Sequence, residues 1–477
     1  MTYEAVIGIE THVELSTASK MFCACPVDTA SDPNTNVCPV CLGLPGALPV
    51  LNEKAVEWAM RIGHGLNCDI APHSVMSRKN YFYPDMPKNY QISQFDLPLC
   101  VNGHLDIETD AGVRRIGVTR VHMEEDTGKS SHVGGDSGRL QDAMYSLIDF
   151  NRAGTPLMEI VSEPDIRTPT EARVFVSELR EIVLALGVSD AKLEDGSMRF
   201  DGNISMRPEG TADFGTKVEI KNMNSMRSLQ QALEYEIKRQ SEVLAGGGEV
   251  TQETRHWNEG AGKTESMRSK EEAFDYRYFP EPDLVPMAVD AAWNQRVQSE
   301  LPELPSQARS RYEDLGLDAD TASLMARGET GALFAAAVDA GADPKAAANW
   351  LTGEVMAWTR KNGVEISDTP LTGASLARLS SMQAEGMLSA SAAKEVLGGV
   401  LAGEGSPDEV ATSRDLLQVS DVRALQDIVD KVLSENQEAA AKLAEGDEKV
   451  LGFLVGQVMK ASGGKADPKL ARELLAR

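Results

Sequence analysis

The chain has 477 residues, with 47 Lys and Arg against 73 Asp and Glu, for a formal charge of −26. So acidic a surface repels nucleic acid on average, and any RNA contact must come from local basic patches. There is no apolar run of bilayer length and no basic-then-apolar leader, which predicts a cytoplasmic protein with no membrane partner.

The first predicted element is a strand within "AVIGIETHVEL". Val6, Ile7 and Ile9 open it, and Thr11, Val13 and Leu15 continue one face. With a side-chain period of two, Glu10, His12 and Glu14 share the opposite face. Two readings of that face stand: a solvated outer surface of an antiparallel sheet, or a divalent-cation site built from carboxylates and an imidazole.

"CACPVDTASDPNTNVCPVC" follows. Cys23 and Cys25, then Cys38 and Cys41, form two thiolate pairs joined by a loop rich in Pro, Asn, Asp and Thr. Two such pairs close a tetrahedral sulfur site that suits a structural Zn²⁺ over residues 23–41. Cys68 and Cys100 are isolated and predicted to be buried. Six cysteines used this way in so long a chain are not a disulfide framework.

"NEKAVEWAMRIGHGL" has helical periodicity. Next, "SRKNYFYPDMPKNYQISQFD" concentrates Tyr81, Phe82, Tyr83, Tyr90 and Phe95 beside Arg78, Lys79 and Lys88. Aromatics interleaved with cations suit a stacked nucleobase and its phosphates, and equally suit an aromatic knot beneath a loop. On the first of these readings Lys79, Tyr81 and Tyr83 are the candidate nucleotide contacts.

Strands are predicted at "IGVTRVHME", "LMEIV", "MRFDGNISM" and "TKVEIK", and helices at "TPTEARVFVSELREIVLALG" and "SMRSLQQALEYEIKRQSEVL". The last helix runs into the glycine stop "AGGGEV". These strands carry Glu124, Glu125 and Asp126, then Glu159, Asp201 and Glu219. If they line one sheet with Glu10 and His12, they form an oxygen-rich site for Mg²⁺; taken singly, each is an ordinary surface acid.

From "ELPELPSQ" onward the chain is Ala- and Leu-rich with helical periodicity, and "GEGSPDEV" near residue 405 reads as a linker. In the tail, Lys460, Lys465, Lys469, Arg472 and Arg477 outnumber Asp467 and Glu473, reversing the charge balance of the chain. Lys460, Lys465, Lys469 and Arg472 are the candidate RNA contacts. "EEDTGKSS" and "GAGKTES" hold a GK[ST] tripeptide but lack the leading glycine of a P-loop. No nucleophile elbow is present, so covalent hydrolysis of an amide is not expected of this chain.

"VIGIETHVEL", "RKNYFYPDMPKNYQISQFD", "VHMEEDTGKS", "NRAGTPLMEIVSEPD", "DYRYFPEPDL" and "VLGFLVGQVMKASGGKADP" together resemble the B subunit of bacterial aspartyl/glutamyl-tRNA amidotransferase. The resemblance runs over essentially the whole chain, in the family's order. It implies an α+β protein: a cradle-like catalytic domain at 1–293, largely antiparallel sheet with the zinc knuckle, then helical domains at 294–405 and 406–477, the last meeting tRNA. It implies an ATP-consuming carbon–nitrogen ligase with glutamine as amido donor. In that reaction the side-chain carboxylate of Glu-tRNA(Gln) or Asp-tRNA(Asn) is phosphorylated with ATP. Ammonia from an amidase-type A subunit then displaces the phosphate, and a small C subunit completes the heterotrimer.

For the metal, the resemblance implies that His12, Glu125 and Glu159 hold Mg²⁺. Glu10, Asp201 and Glu219, again with Glu125, match a second cation position that has Glu124 as a neighbour. The zinc cysteines occur in only part of the family and rest on their spacing. "VGGDSGRLQDAMYS" is longer than the corresponding family loop. The competing readings are a non-catalytic, zinc-containing RNA-binding scaffold and a self-sufficient metal-dependent phosphohydrolase.

Overall fold

A computed structural model describes residues 2–109, 111–134, 143–269, 276–418, 422–444, 448–463 and 466–476. It is a mixed α+β structure with a sheet-rich N-terminal part and a helical C-terminal part. The chain divides into two compact units, Met1–Leu304 and Pro305–Arg477.

The first unit is organised by a nine-stranded sheet with the opening strand, Tyr3–Glu14, at its centre. On one side of it lie Pro156–Ser162, Gly112–Glu125, Cys100–Thr109 and Asp69–Ile70, in that order. On the other lie Met198–Pro208, Val218–Lys221, Glu253–Asn258 and Lys263–Ser269. All neighbours are antiparallel except Val218–Lys221 and Glu253–Asn258, which run parallel. A helix, Met226–Ala245, connects that parallel pair, because strands running the same way need a crossover.

The predicted alternation of the opening strand holds. Ile7, Ile9, Thr11 and Val13 are buried in the core, and Glu10, His12 and Glu14 are on the opposite face. Three helices supply the other half of that core. Glu53–Gly65 starts at Asn52, whose side chain accepts from the backbone N–H groups of Lys54 and Ala55. Pro169–Ala185 starts at Thr168 with Pro169 in its first turn, and Met226–Ala245 starts at Ser225 and stops at Gly246 as predicted. Each of these helices buries residues three and four apart, the stripe that faces a sheet. A Cβ on Gly63 would lie 2.6 Å from the sulfur of Cys100, so the first helix seats against that cysteine through a glycine. Cys68 and Cys100 are both buried, as expected.

In the second unit the expected linker near residue 405 is the start of a helix. Ser406 and Glu409 form a capping box ahead of Pro407–Ser413. That helix buries Val410 and Ala411 in the same apolar cluster as Leu376, Val396 and Leu401. A separate cluster begins at Leu425 and gathers Val429, Leu454, Val458, Leu474 and Leu475. Among the described residues no helix is long and apolar enough to cross a membrane.

Candidate functional site

The helices cover one face of the sheet, and the other face carries its ionisable residues in rows set by strand register. His12 pairs with Glu159 on one side and Arg199 on the other, and Glu159 pairs in turn with His122. One row across four strands therefore reads His122, Glu159, His12, Arg199. Two residues along, Glu10 stands between Val161 and Asp201.

Ligand atoms of His12, Glu124 and Glu159 lie within 4.8 Å of one another, as do those of Glu10, Asp201 and Glu219. These are the two carboxylate groups that the strands were expected to bring together. Hard oxygen donors with a single imidazole fit Mg²⁺ better than a softer metal. The membership differs from expectation at one residue. Glu124, not Glu125, joins His12 and Glu159, because neighbouring residues of a strand face opposite sides. The Glu125 carboxylate accepts from the backbone N–H of Ile92 at 2.9 Å and pairs with the buried Lys88 ammonium, so it belongs to neither group.

In the first group, His12 Nε2 stands 3.5 Å and His122 Nε2 3.3 Å from Glu159 Oε2, and His122 Nε2 is also 3.3 Å from Glu124 Oε1. Burial would raise the Glu159 carboxyl, but hydrogen bonds from His12 and His122 hold it well below the ordinary carboxylate range. Glu124 also accepts from Ser93 Oγ at 2.7 Å and Gln91 Nε2 at 3.0 Å, which fixes its rotamer. In the second group Lys221 Nζ donates to Asp201 at 2.6 Å and to Glu219 at 3.0 Å. Burial, and then the charge of Glu159, push the Glu10 carboxyl up. Further along this face, burial and a hydrogen bond with Asp126 raise the Glu14 carboxyl to about 8.

Two cavities border these groups. One, of about 530 Å³, is lined by Lys79, Tyr81, Phe82, Tyr83, Lys221 and Tyr276 among others. It gathers all three candidate nucleotide contacts, and Lys79 Nζ reaches to 4.0 Å from Glu124 Oε1. The other, of about 320 Å³, is mostly apolar, with Val6, Gly8, Val161, Pro164 and Phe214 meeting Glu10, Asn203 and Lys217. Asn203 Nδ2 donates to Glu10 at 2.8 Å, and its buried Oδ1 has no hydrogen-bond partner among the described residues.

Residues 5–295 match the family model described as GatB/GatE catalytic domain, and residues 332–477 match the one described as GatB domain. A protein of Moorella thermoacetica is 51% identical over 477 residues, covering 100% of this chain and 99% of its own length. One from Thermobifida fusca is 51% identical over 482 residues, covering 99% and 93%. Both are named as the B subunit of aspartyl/glutamyl-tRNA(Asn/Gln) amidotransferase. The chain belongs to that family of amidotransferase B subunits.

Two further predicted features can be located within this B subunit. The sulfurs of Cys23, Cys25, Cys38 and Cys41 lie within 4.8 Å of one another, and none is in a disulfide. Cys38 and Cys41 are 3.9 Å apart at sulfur. That is the separation of about 3.8 Å that Zn–S bonds of ~2.3 Å impose on a tetrahedron, so the four thiols fit such an ion. The hydrogen bond from Cys23 brings the Cys41 thiol down to about 5. In the tail, Lys460, Lys469 and Arg472 lie on the helices Leu451–Ala461 and Pro468–Leu475, and Lys465 lies outside the described residues. Residues 135–142 of the long loop also lie outside them; the loop's flanks pair as a two-stranded sheet of Lys129–Val133 with Tyr145–Asp149.

His122 and Lys20 were missed from sequence, whereas Asn203 shares a face with Asp201 by strand alternation. His122 could have been found, since it sits two residues before Glu124 on a strand and so shares its face. Nothing local marks Lys20.

Proposed function

We propose that this B subunit carries out the ATP-dependent half of tRNA-dependent amidation. The side-chain carboxylate of Glu-tRNA(Gln) or Asp-tRNA(Asn) attacks the terminal phosphorus of ATP, and ADP leaves. Ammonia then attacks the acyl phosphate and expels phosphate, giving Gln-tRNA(Gln) or Asn-tRNA(Asn). The observation that carries this reading is the pair of carboxylate groups, three residues each, on one open face of one sheet.

His12, Glu124 and Glu159 would hold one Mg²⁺, and Glu10, Asp201 and Glu219 a second, weaker one. When bound, Mg²⁺ offsets the charge that builds on the transferring phosphoryl group. The protein's own part is to orient and neutralise. Lys79, between Glu124 and the larger cavity, offers its ammonium to the phosphates of ATP, and Tyr81 and Tyr83 offer ring faces to the base. The apolar cavity beside Glu10 leaves room for a second reactant against the same carboxylates. Ammonia is assigned to an amidase-type A subunit, with a C subunit completing the complex, because this chain's cysteines are accounted for and no amide-cleaving nucleophile was recognised in it. The four thiols would hold a structural Zn²⁺. The chain would then comprise a catalytic domain and two helical ones, with the tail's Lys460, Lys465, Lys469 and Arg472 meeting the body of the tRNA.

The test is to incubate the chain, with and without its A and C partners, with each mischarged tRNA, ATP, Mg²⁺ and glutamine, and to identify the amino acid on the tRNA. Amidation that needs this chain, and fails when Glu159 becomes Gln, is the expected result. Phosphate release that is the same with and without this chain would favour the scaffold reading.

A further inference from the structure

Lys20 is fully buried, which is rare for a lysine unless an anion accompanies it. An ammonium has three N–H donors, and all three are placed. They point to the carbonyl of Asn36 at 2.8 Å, the carbonyl of Phe150 at 3.3 Å and the sulfur of Cys41 at 3.9 Å. Carbonyls carry only partial charge, so of these three partners only the Cys41 sulfur can become an anion. The side-chain stem is seated as firmly as the head: Gly154, at φ +88°, brings its backbone against it, and a Cβ there would stand 3.4 Å from Lys20 Cδ. Four thiolates carry twice the charge of a divalent ion, so a filled site of this kind is a dianion, and Cys41, the thiol nearest Lys20, is its one buried member.

We propose that Lys20 is a positioning residue of the four-thiolate site, a fixed ammonium that offsets part of its negative charge and so sets how tightly the site holds Zn²⁺. This rests on the reading of the four cysteines as a metal site. It assigns Lys20 a role distinct from a scaffold lysine that merely ties the 28–36 loop to Phe150. The two roles differ in sign. A scaffold lysine replaced by methionine loses two hydrogen bonds whether or not metal is present. A charge partner replaced by methionine weakens the metal site, but relieves a buried unpaired charge once the thiolate is gone.

The full-length chain and its Lys20→Met, Cys41→Ser and double variants would be loaded with Zn²⁺, then followed for zinc content, for release to a chromogenic chelator and for Tm. The expected result is release at least tenfold faster from Lys20→Met than from the parent. The double variant should also melt above Cys41→Ser alone. A zinc-free parent after loading would overturn the metal reading and this inference with it. A zinc-loaded parent with Lys20→Met releasing within twofold of it would overturn the role of Lys20 alone. If Lys20→Met does not fold, the double variant decides: melting no higher than Cys41→Ser alone makes Lys20 a scaffold residue.

Discussion

Replacing Glu159 with Gln keeps the shape of the side chain and removes its charge at the centre of the His122–Glu159–His12 row. Without metal, two effects oppose each other. The amide loses its pairing with His12 and His122, but it also relieves repulsion from Glu124 and Glu10. The pairing outweighs the repulsion, because it holds the Glu159 carboxyl well below the ordinary range, so the metal-free variant should melt below the parent at neutral pH. With metal the two proteins diverge further. A ligand that binds only the folded state at a hundred times its Kd stabilises it by about 2.7 kcal/mol. At ~2.1 cal/mol/K per residue, the 304 residues of the first unit have an unfolding entropy of about 0.6 kcal/mol/K. Mg²⁺ should thus raise the parent's Tm by about 4 °C. Glu159→Gln, lacking one of three ligands of that group, should show less than half of that shift at the same Mg²⁺ concentration. Differential scanning fluorimetry across a Mg²⁺ series, read at the sheet unit's transition, makes the measurement. An unchanged Mg²⁺ shift in a folded Glu159→Gln protein would refute the assignment of Glu159 as a cation ligand.

Adjacent acids should separate cleanly. Glu124→Gln should lower tRNA-dependent ATP cleavage by about a hundredfold or more, while Glu125→Gln should act mainly on stability, because it leaves Lys88 buried without its anion at a cost of about 3–5 kcal/mol; phosphate-release assays and thermal melts on both variants compare the two. Lys79→Met should raise KM for ATP more than it lowers the melting temperature, which steady-state kinetics would show. For Glu14, a folded-state value near 8 against an ordinary 4.5 means that its contribution to stability is present below pH ~4.5 and is lost as pH rises towards 8. Glu14→Gln, which stays neutral, should therefore gain stability over the parent at pH 8.5 and not at pH 5, as denaturant melts at both values would record. Deleting the tail from residue 422 should mainly raise KM for aminoacyl-tRNA and flatten the salt dependence of tRNA binding, measured by filter binding across a salt series.

Much of the site could be read from the sequence because strand chemistry is local. Glu10, His12 and Glu14 declared their shared face through alternation with Ile9, Thr11 and Val13, and the helix at Met226 declared its start at Ser225 and its stop at Gly246. What the sequence could not settle is phase at the end of a strand. "HMEED" offers three consecutive acids, and only the pairing of Leu157 with Glu124 and Pro156 with Glu125 decides which of them turns towards His12. Long-range burial was likewise invisible. Lys20 looks like any surface lysine until Phe150, 130 positions away, closes over it. At residue 405 the glycines outweigh a capping box that is present in the letters Ser406 and Glu409, so a helix start reads as a linker.

The carboxylate rows have a consequence for how this chain can vary. Every ligand sits on one of several neighbouring strands, so inserting or deleting one residue within any of them would turn that strand's contribution to the helix-covered side. Length change is therefore tolerable only where pairing to the nine-stranded sheet has already ended. The segment between Glu125 and Pro156 offers such a place, since its described strands, Lys129–Val133 and Tyr145–Asp149, pair with each other apart from the nine-stranded sheet. A change of length between those two strands leaves Glu124 and Glu159 in step.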